Sequence, residues 1–119
     1  MVEALKMRTL SFSRKIMDHS KLQIELDELS ARLRATIGDS EIYLFGSAAE
    51  GPFYEDSDFD VLVVASDENE LRLFREKLGK AHPLVNRSVD YVWMLKSDFD
   101  RKKKIGGVAM ICFELNKRL

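Results

Sequence analysis

A chain of 119 residues with 45% hydrophobic content has the size of one domain and enough apolar mass for an ordinary core. Its charged residues, 33% of the total, balance to a formal net charge of -1, which excludes the basic field of a generic nucleic-acid binder. One cysteine, Cys112, excludes an internal disulfide framework, and no continuous apolar stretch reads as a leader or a membrane span. A cytoplasmic protein with no membrane partner is expected, and direct nucleic-acid binding is disfavoured.

The whole chain, 1–119, reads as a single domain with residues 1–19 as an N-terminal arm or short helix. In that arm Leu5, Leu10, Phe12, Ile16 and Met17 follow no clean period, and Ser13 to Asp18 are the residues expected to be helical. Ser20 with Gln23 three residues on matches a capping box. Leu22, Leu26, Leu29, Leu33 and Ile37 then recur at helical spacing up to Gly38, so a helix over 20–37 should lie across a sheet.

Glu41 to Phe45 reads as a first strand, and Phe59 to Ala65 as a second, apolar enough to be covered on both faces. Asp67 with Glu70 caps a helix whose Leu71, Phe74 and Leu78 share a face, with its end placed at Gly79. Asn86 to Leu95, rich in Val, Tyr and Trp, is a third strand. Ser97 with Asp100 suggests a cap for a short helix over Phe99 to Ile105. Periodicity leaves Val108 to Leu115 open between strand and helix. The fold class expected is α/β (α+β), a small mixed sheet with helices packed against it.

The chemistry concentrates between Tyr43 and Ala65. Gly46-Ser47 closes the first strand, and a turn of this kind entering a helix offers N–H groups to an anion. Asp58 and Asp60, at i and i+2, should share one face of the second strand. Asp90 sits in the third strand between Val89 and Tyr91, where an unpaired charge is costly, so it needs a partner. If the second and third strands are neighbours, Asp58, Asp60 and Asp90 gather on one face. Clustered carboxylates repel one another, and a hard divalent ion, Mg²⁺ or Mn²⁺, removes that cost. Any one of these aspartates alone reads more simply as a turn, cap or satisfied core residue. Together with Gly46-Ser47 they read as a site.

These residues resemble the nucleotidyltransferase superfamily that includes DNA polymerase beta and the aminoglycoside nucleotidyltransferases. The shared pattern is Gly-Ser, about ten residues, Asp-x-Asp, and a later strand carboxylate, met here by Gly46-Ser47, Asp58-Phe59-Asp60 and Asp90. The length is similar to that of the minimal nucleotidyltransferases, the MNT proteins paired with HEPN toxins. The resemblance implies the nucleotidyltransferase fold and a nucleotide site of Gly46, Ser47 and Gly51. It also implies metal and catalytic roles for Asp58, Asp60 and Asp90. The implied reaction takes ATP or another NTP and transfers AMP to a hydroxyl of a partner protein, a HEPN toxin, as an antitoxin does; a homo-oligomer is compatible with it.

Relatives often read Gly-Ser-Arg-Ala-Arg-Gly where this chain reads Gly46-Ser47-Ala48-Ala49-Glu50-Gly51. A glutamate facing a triphosphate opposes it, and Glu50→Arg would then raise nucleotide affinity; facing solvent, it would leave affinity unchanged. The alternative function is therefore a weak or inactive module of the same fold that neutralises a partner by binding alone. Arg101 and Lys102 to Lys104 read chiefly as a solvated helix face with a lesser expectation of reaching phosphates. His19 and His82 lack ligand spacing. Trp93 and Cys112 read as core, and Phe53 and Tyr54 as loop packing rather than base-stacking residues.

Overall fold

A computed structural model of the protein describes residues 14–119. The expectations for residues 1–13 lie outside that range. Among the described residues five helices and three strands follow in order: α1 (His19–Ile37), β1 (Glu41–Phe45), α2 (Ser47–Glu50), β2 (Phe59–Ala65), α3 (Glu68–Lys80), β3 (Val89–Leu95), α4 (Lys96–Lys102) and α5 (Gly107–Leu115).

The sheet is mixed, with β2 in the centre. β1 runs antiparallel to β2, with Phe45 opposite Asp60. β3 runs parallel to β2, with Asp60 opposite Asp90. A parallel pair needs a crossover, and α3 supplies it. The central place of β2 accounts for its apolar run, since alternate residues bury on opposite faces. Phe59, Val61, Val63 and Ala65 meet Leu29, Leu33 and Ile37 of α1 and Phe74 and Leu78 of α3. Leu62 and Val64 meet Tyr43, Phe99 of α4, and Ala109 and Cys112 of α5. Asp60 falls on this second face.

Several element boundaries differ from the sequence reading, the end of α4 at Lys102 rather than Ile105 among them. α1 is capped by Asp18, whose carboxylate accepts from the Ser20 amide at 3.0 Å, while Gln23 turns outward to Asp27. Aspartate binds an orphan N–H more strongly than serine does, so the cap shifts two residues upstream. Gly79 does not end α3, which runs on to Lys80, because glycine weakens a helix without forbidding it. β3 begins at Val89, since Arg87 turns back into the preceding loop. α4 starts directly at Lys96 without a side-chain cap; Asp100 instead pairs with Lys96 and Lys103.

The expected cap at Asp67 is present, with Glu70 reaching back one residue beyond it. The Glu70 amide donates to Asp67 at 2.8 Å, and the Ser66 amide donates to the Glu70 carboxylate at 2.9 Å. The open segment after Gly107 is the helix α5. Beyond it the chain returns along the outer edge of β1, where the Leu44 amide donates to the Lys117 carbonyl and the Leu119 amide to that of Ile42. Residues 14–18 are not helical: Ile16 pairs antiparallel with Tyr54, and the Met17 and Glu55 amides bond to the carbonyls of Phe53 and Lys15. Among the described residues no helix is long and apolar enough to cross a membrane.

Candidate active site

β1 ends on Gly46, whose φ of 71° and ψ of -155° lie in a region essentially reserved for glycine. Two reasons require a glycine here. The chain turns sharply into the single turn α2, and the Asp60 carboxylate lies so close above Gly46 that a Cβ would overlap it. The turn is closed from within: the Ala49 and Glu50 amides donate to the Gly46 carbonyl at 3.0 Å, and the Gly51 amide to that of Ser47. Ser47 lines one cleft together with Asp60 and Asp90.

That cleft, of about 330 Å³, is lined by Arg14, Ser47, Pro52, Tyr54, Asp56, Ser57, Asp58, Asp60 and Asp90. The three aspartates of the sequence reading are thus brought to one place. Asp60 and Asp90 are side by side on neighbouring parallel strands. Asp58 lies one residue ahead of β2, on the loop rather than within the strand. Asp58 and Asp90 are exposed, whereas Asp60 is partly covered. The exposure of Asp90 corrects one premise of the sequence reading: the residue sits at the open end of β3, so water solvates it and no burial cost demands a partner. Asp60 does respond to its surroundings. Burial pushes its carboxyl above the usual range, and the charges of Asp90 and Asp58 add to the effect.

Among the described residues, no three His, Cys, Asp or Glu side chains are gathered closely enough to hold an ion as they stand. The donors nonetheless suit a hard divalent cation. They are carboxylates lining one cleft, two of them on exposed residues, with a mutual repulsion that a cation would relieve.

Not every residue of the sequence reading lies on the cleft. Gly51 is outside its lining and, at φ 63°, closes α2. Glu50 is exposed and outside the lining too. Arg101 and Lys103 pair with Asp98 and Asp100 on their own helix turn, and none of Arg101 to Lys104 lines the cleft. Phe53 is buried and stacked on Phe59, while Tyr54 lines the cleft. Trp93 is half-buried, stacked on Tyr91. Cys112 is fully buried, and burial pushes its thiol up to about 11, which makes it an inert packing group.

Two arginines were not legible in the sequence. Arg87 reaches under the loop before β2. Its guanidinium donates to the carbonyls of Glu55 and Ser57, each at 2.7 Å, and pairs with Glu25 of α1 at 2.9 Å. It also lies over the Phe53 ring at 4.9 Å. Arg87 therefore sets the path by which the chain enters Asp58. Arg14 sits on the cleft itself, 4.2 Å above the Tyr54 ring, donating to Asp56 at 2.9 Å and to the Ser57 hydroxyl at 3.1 Å. No local signal marks either residue, because each acts through segments distant in the chain.

Taken together, these features define an α/β protein whose mixed sheet presents paired carboxylates beside a Gly-Ser turn. A family model of the nucleotidyltransferase domain matches residues 26–112, well over half of the chain, and the protein belongs to that family. Among solved structures, it is similar to a provisionally assigned nucleotidyltransferase from Sulfolobus solfataricus. That match has 23% identity and a TM-score of 0.44, over 67% of this chain and 71% of the other. A second provisionally assigned nucleotidyltransferase matches at 24% identity and a TM-score of 0.44, over 67% of this chain and 88% of its own. No curated protein matches the chain.

Proposed function

We propose that the protein is a metal-dependent nucleotidyltransferase that moves a nucleoside monophosphate, AMP from ATP, to a hydroxyl of a partner protein. The observation that carries this reading is the register of Asp60 with Asp90 on neighbouring strands, in one cleft with Asp58 and Ser47. Asp58, Asp60 and Asp90 are the residues that would hold Mg²⁺ or Mn²⁺. Such an ion, when bound, would neutralise triphosphate oxygens and favour departure of pyrophosphate.

This chain's own groups do the rest. Gly46 allows the backbone to pass beneath Asp60 and thereby sets that carboxylate. Ser47 donates its hydroxyl to a phosphate oxygen. Asp90, at the solvent side, accepts the proton of the incoming hydroxyl. The acceptor oxygen forms a bond to the α-phosphorus as the bond from that phosphorus to the bridging oxygen breaks, and pyrophosphate carries away the electron pair. Because Asp58 and Asp90 are exposed, the acceptor can be presented from outside by another protein. A HEPN toxin is the partner inferred from the family resemblance, with this chain as its antitoxin in the cytoplasm.

Glu50 supports the enzyme reading by its position. It is exposed and outside the cleft lining, which supports an orientation towards solvent rather than towards a bound triphosphate. The spacing of the three aspartates favours a second reading, a module that binds its partner without transfer, because they must move to share an ion. Incubation with ATP labelled at the α-phosphate and Mg²⁺, with and without the product of the neighbouring gene, decides between them. Label on the partner, lost with Asp58→Asn plus Asp60→Asn, is the expected result. Stable complex formation without any label transfer would establish the binding module instead.

A further inference from the structure

The lining of the carboxylate cleft carries four acids, Asp56, Asp58, Asp60 and Asp90, and among the described residues one cation, Arg14. A triphosphate entering such a cleft meets several negative charges, and metal at Asp58, Asp60 and Asp90 would leave that of Asp56 to be offset. Arg14 lines the same cleft, bonded to Asp56 and to the Ser57 hydroxyl on the loop that leads to Asp58. Its place is set by the antiparallel pairing of residues 15–17 with 53–55, so the arm that carries it is fastened to the loop leading to Asp58. Tyr54 supports the guanidinium plane from below at 4.2 Å.

We propose that Arg14 is the residue that takes the phosphates of a nucleoside triphosphate bound in this cleft, exchanging Asp56 for phosphate oxygens. The inference rests on the nucleotide-site reading above and names a residue which that reading does not contain. A guanidinium has five N–H donors in a planar fork that fits phosphate bidentately. In the free protein part of that fork is held by Asp56 and the Ser57 hydroxyl. The Arg14 and Asp56 side chains are 45% and 71% exposed, and an exposed pair of this kind is weak enough for a more highly charged anion to displace. Asp56 thus occupies part of the guanidinium edge that phosphate would take. The stacking on Tyr54 can persist through the exchange, because it uses the ring face and not the N–H edge.

The test is calorimetric titration of the whole protein in Mg²⁺ with a non-hydrolysable ATP analogue and, separately, with AMP. Arg14→Ala should weaken the ATP analogue about tenfold and leave AMP within about twofold, as expected for loss of one charge-assisted phosphate contact. Arg14→Lys should recover part of the loss. Asp56→Asn keeps the loop side chain but removes the competing charge, and should bind the ATP analogue at least as tightly as the parent. Equal ATP-analogue affinity of parent and Arg14→Ala overturns the role of Arg14 while leaving the nucleotide site standing. A loss in Asp56→Asn as large as in Arg14→Ala also overturns it, because the pair would then serve only to hold the loop. A parent that binds neither ligand overturns the nucleotide site and this inference together.

Discussion

Gly46 and Asp60 constrain one another at the residue scale. The backbone at Gly46 is in a glycine-only region, and the Asp60 carboxylate occupies the space a Cβ would need. Gly46→Ala should therefore cost about 1–3 kcal/mol in backbone strain alone, with further loss as Asp60 is displaced, measured by urea unfolding. Asp60 has the opposite effect on stability. Its raised carboxyl means that the folded chain holds this proton more tightly than the unfolded chain does. Its contribution therefore favours the fold at acid pH and is lost as pH rises through the raised value. Asp60→Asn should raise the melting temperature of the metal-free protein at pH 7, and the gain should shrink as pH falls towards about 4, the ordinary carboxylate range. Glu50→Arg should leave ATP-analogue affinity unchanged, since Glu50 is exposed and outside the cleft lining; a tenfold gain in calorimetric titration would place Glu50 against the phosphates after all. The aspartates were legible because their spacing and strand context are local properties. Arg14 was not, since the segment that carries it has no period of its own and takes its place only by pairing with residues 53–55.

At the scale of elements, Arg87 does for the motif loop what no strand or helix does. It ties α1 through Glu25 to the carbonyls of Glu55 and Ser57, with only 11% of its side chain exposed. Arg87→Ala would leave those loop carbonyls without their donor and Glu25 without its charge, and should lower unfolding stability by about 3 kcal/mol. Arg87→Lys should recover little, because a single ammonium cannot span the same carbonyls and carboxylate. Denaturant titration of the two variants checks both statements. The bounds of β1 and β2 were legible because apolar runs in a small sheet announce themselves. The starts of α1, β3 and α4 were not. Each is decided by a competition between nearby polar groups, Asp18 against Ser20 for the cap, Arg87 turning away from the strand, and Lys96 engaging Glu41 and Asp100. The helical nature of Val108 to Leu115 escaped periodicity because apolar residues are exposed on it as well, Ile111 and Phe113 beside the buried Ala109 and Cys112, so no polar face marks the period.

For the molecule as a whole, the two helix layers cover β2 from both sides, and the carboxylate cleft lies at the end of the sheet where β2 and β3 begin. Leu29, Leu33, Val61 and Val63 form the buried centre of one layer, and Phe99, Leu62 and Cys112 that of the other. The acidic residues lie at that end, held apart from the core, so the fold tolerates their repulsion at the rim. A ligand that binds only the folded chain must raise its stability. The most direct measurement is thermal unfolding with and without millimolar Mg²⁺ or Mn²⁺, on the parent and on Asp58→Asn plus Asp60→Asn. The parent should melt several degrees higher with metal, and the double variant should melt at one temperature in both conditions. An equal metal-induced shift in parent and double variant would contradict a metal site at these aspartates.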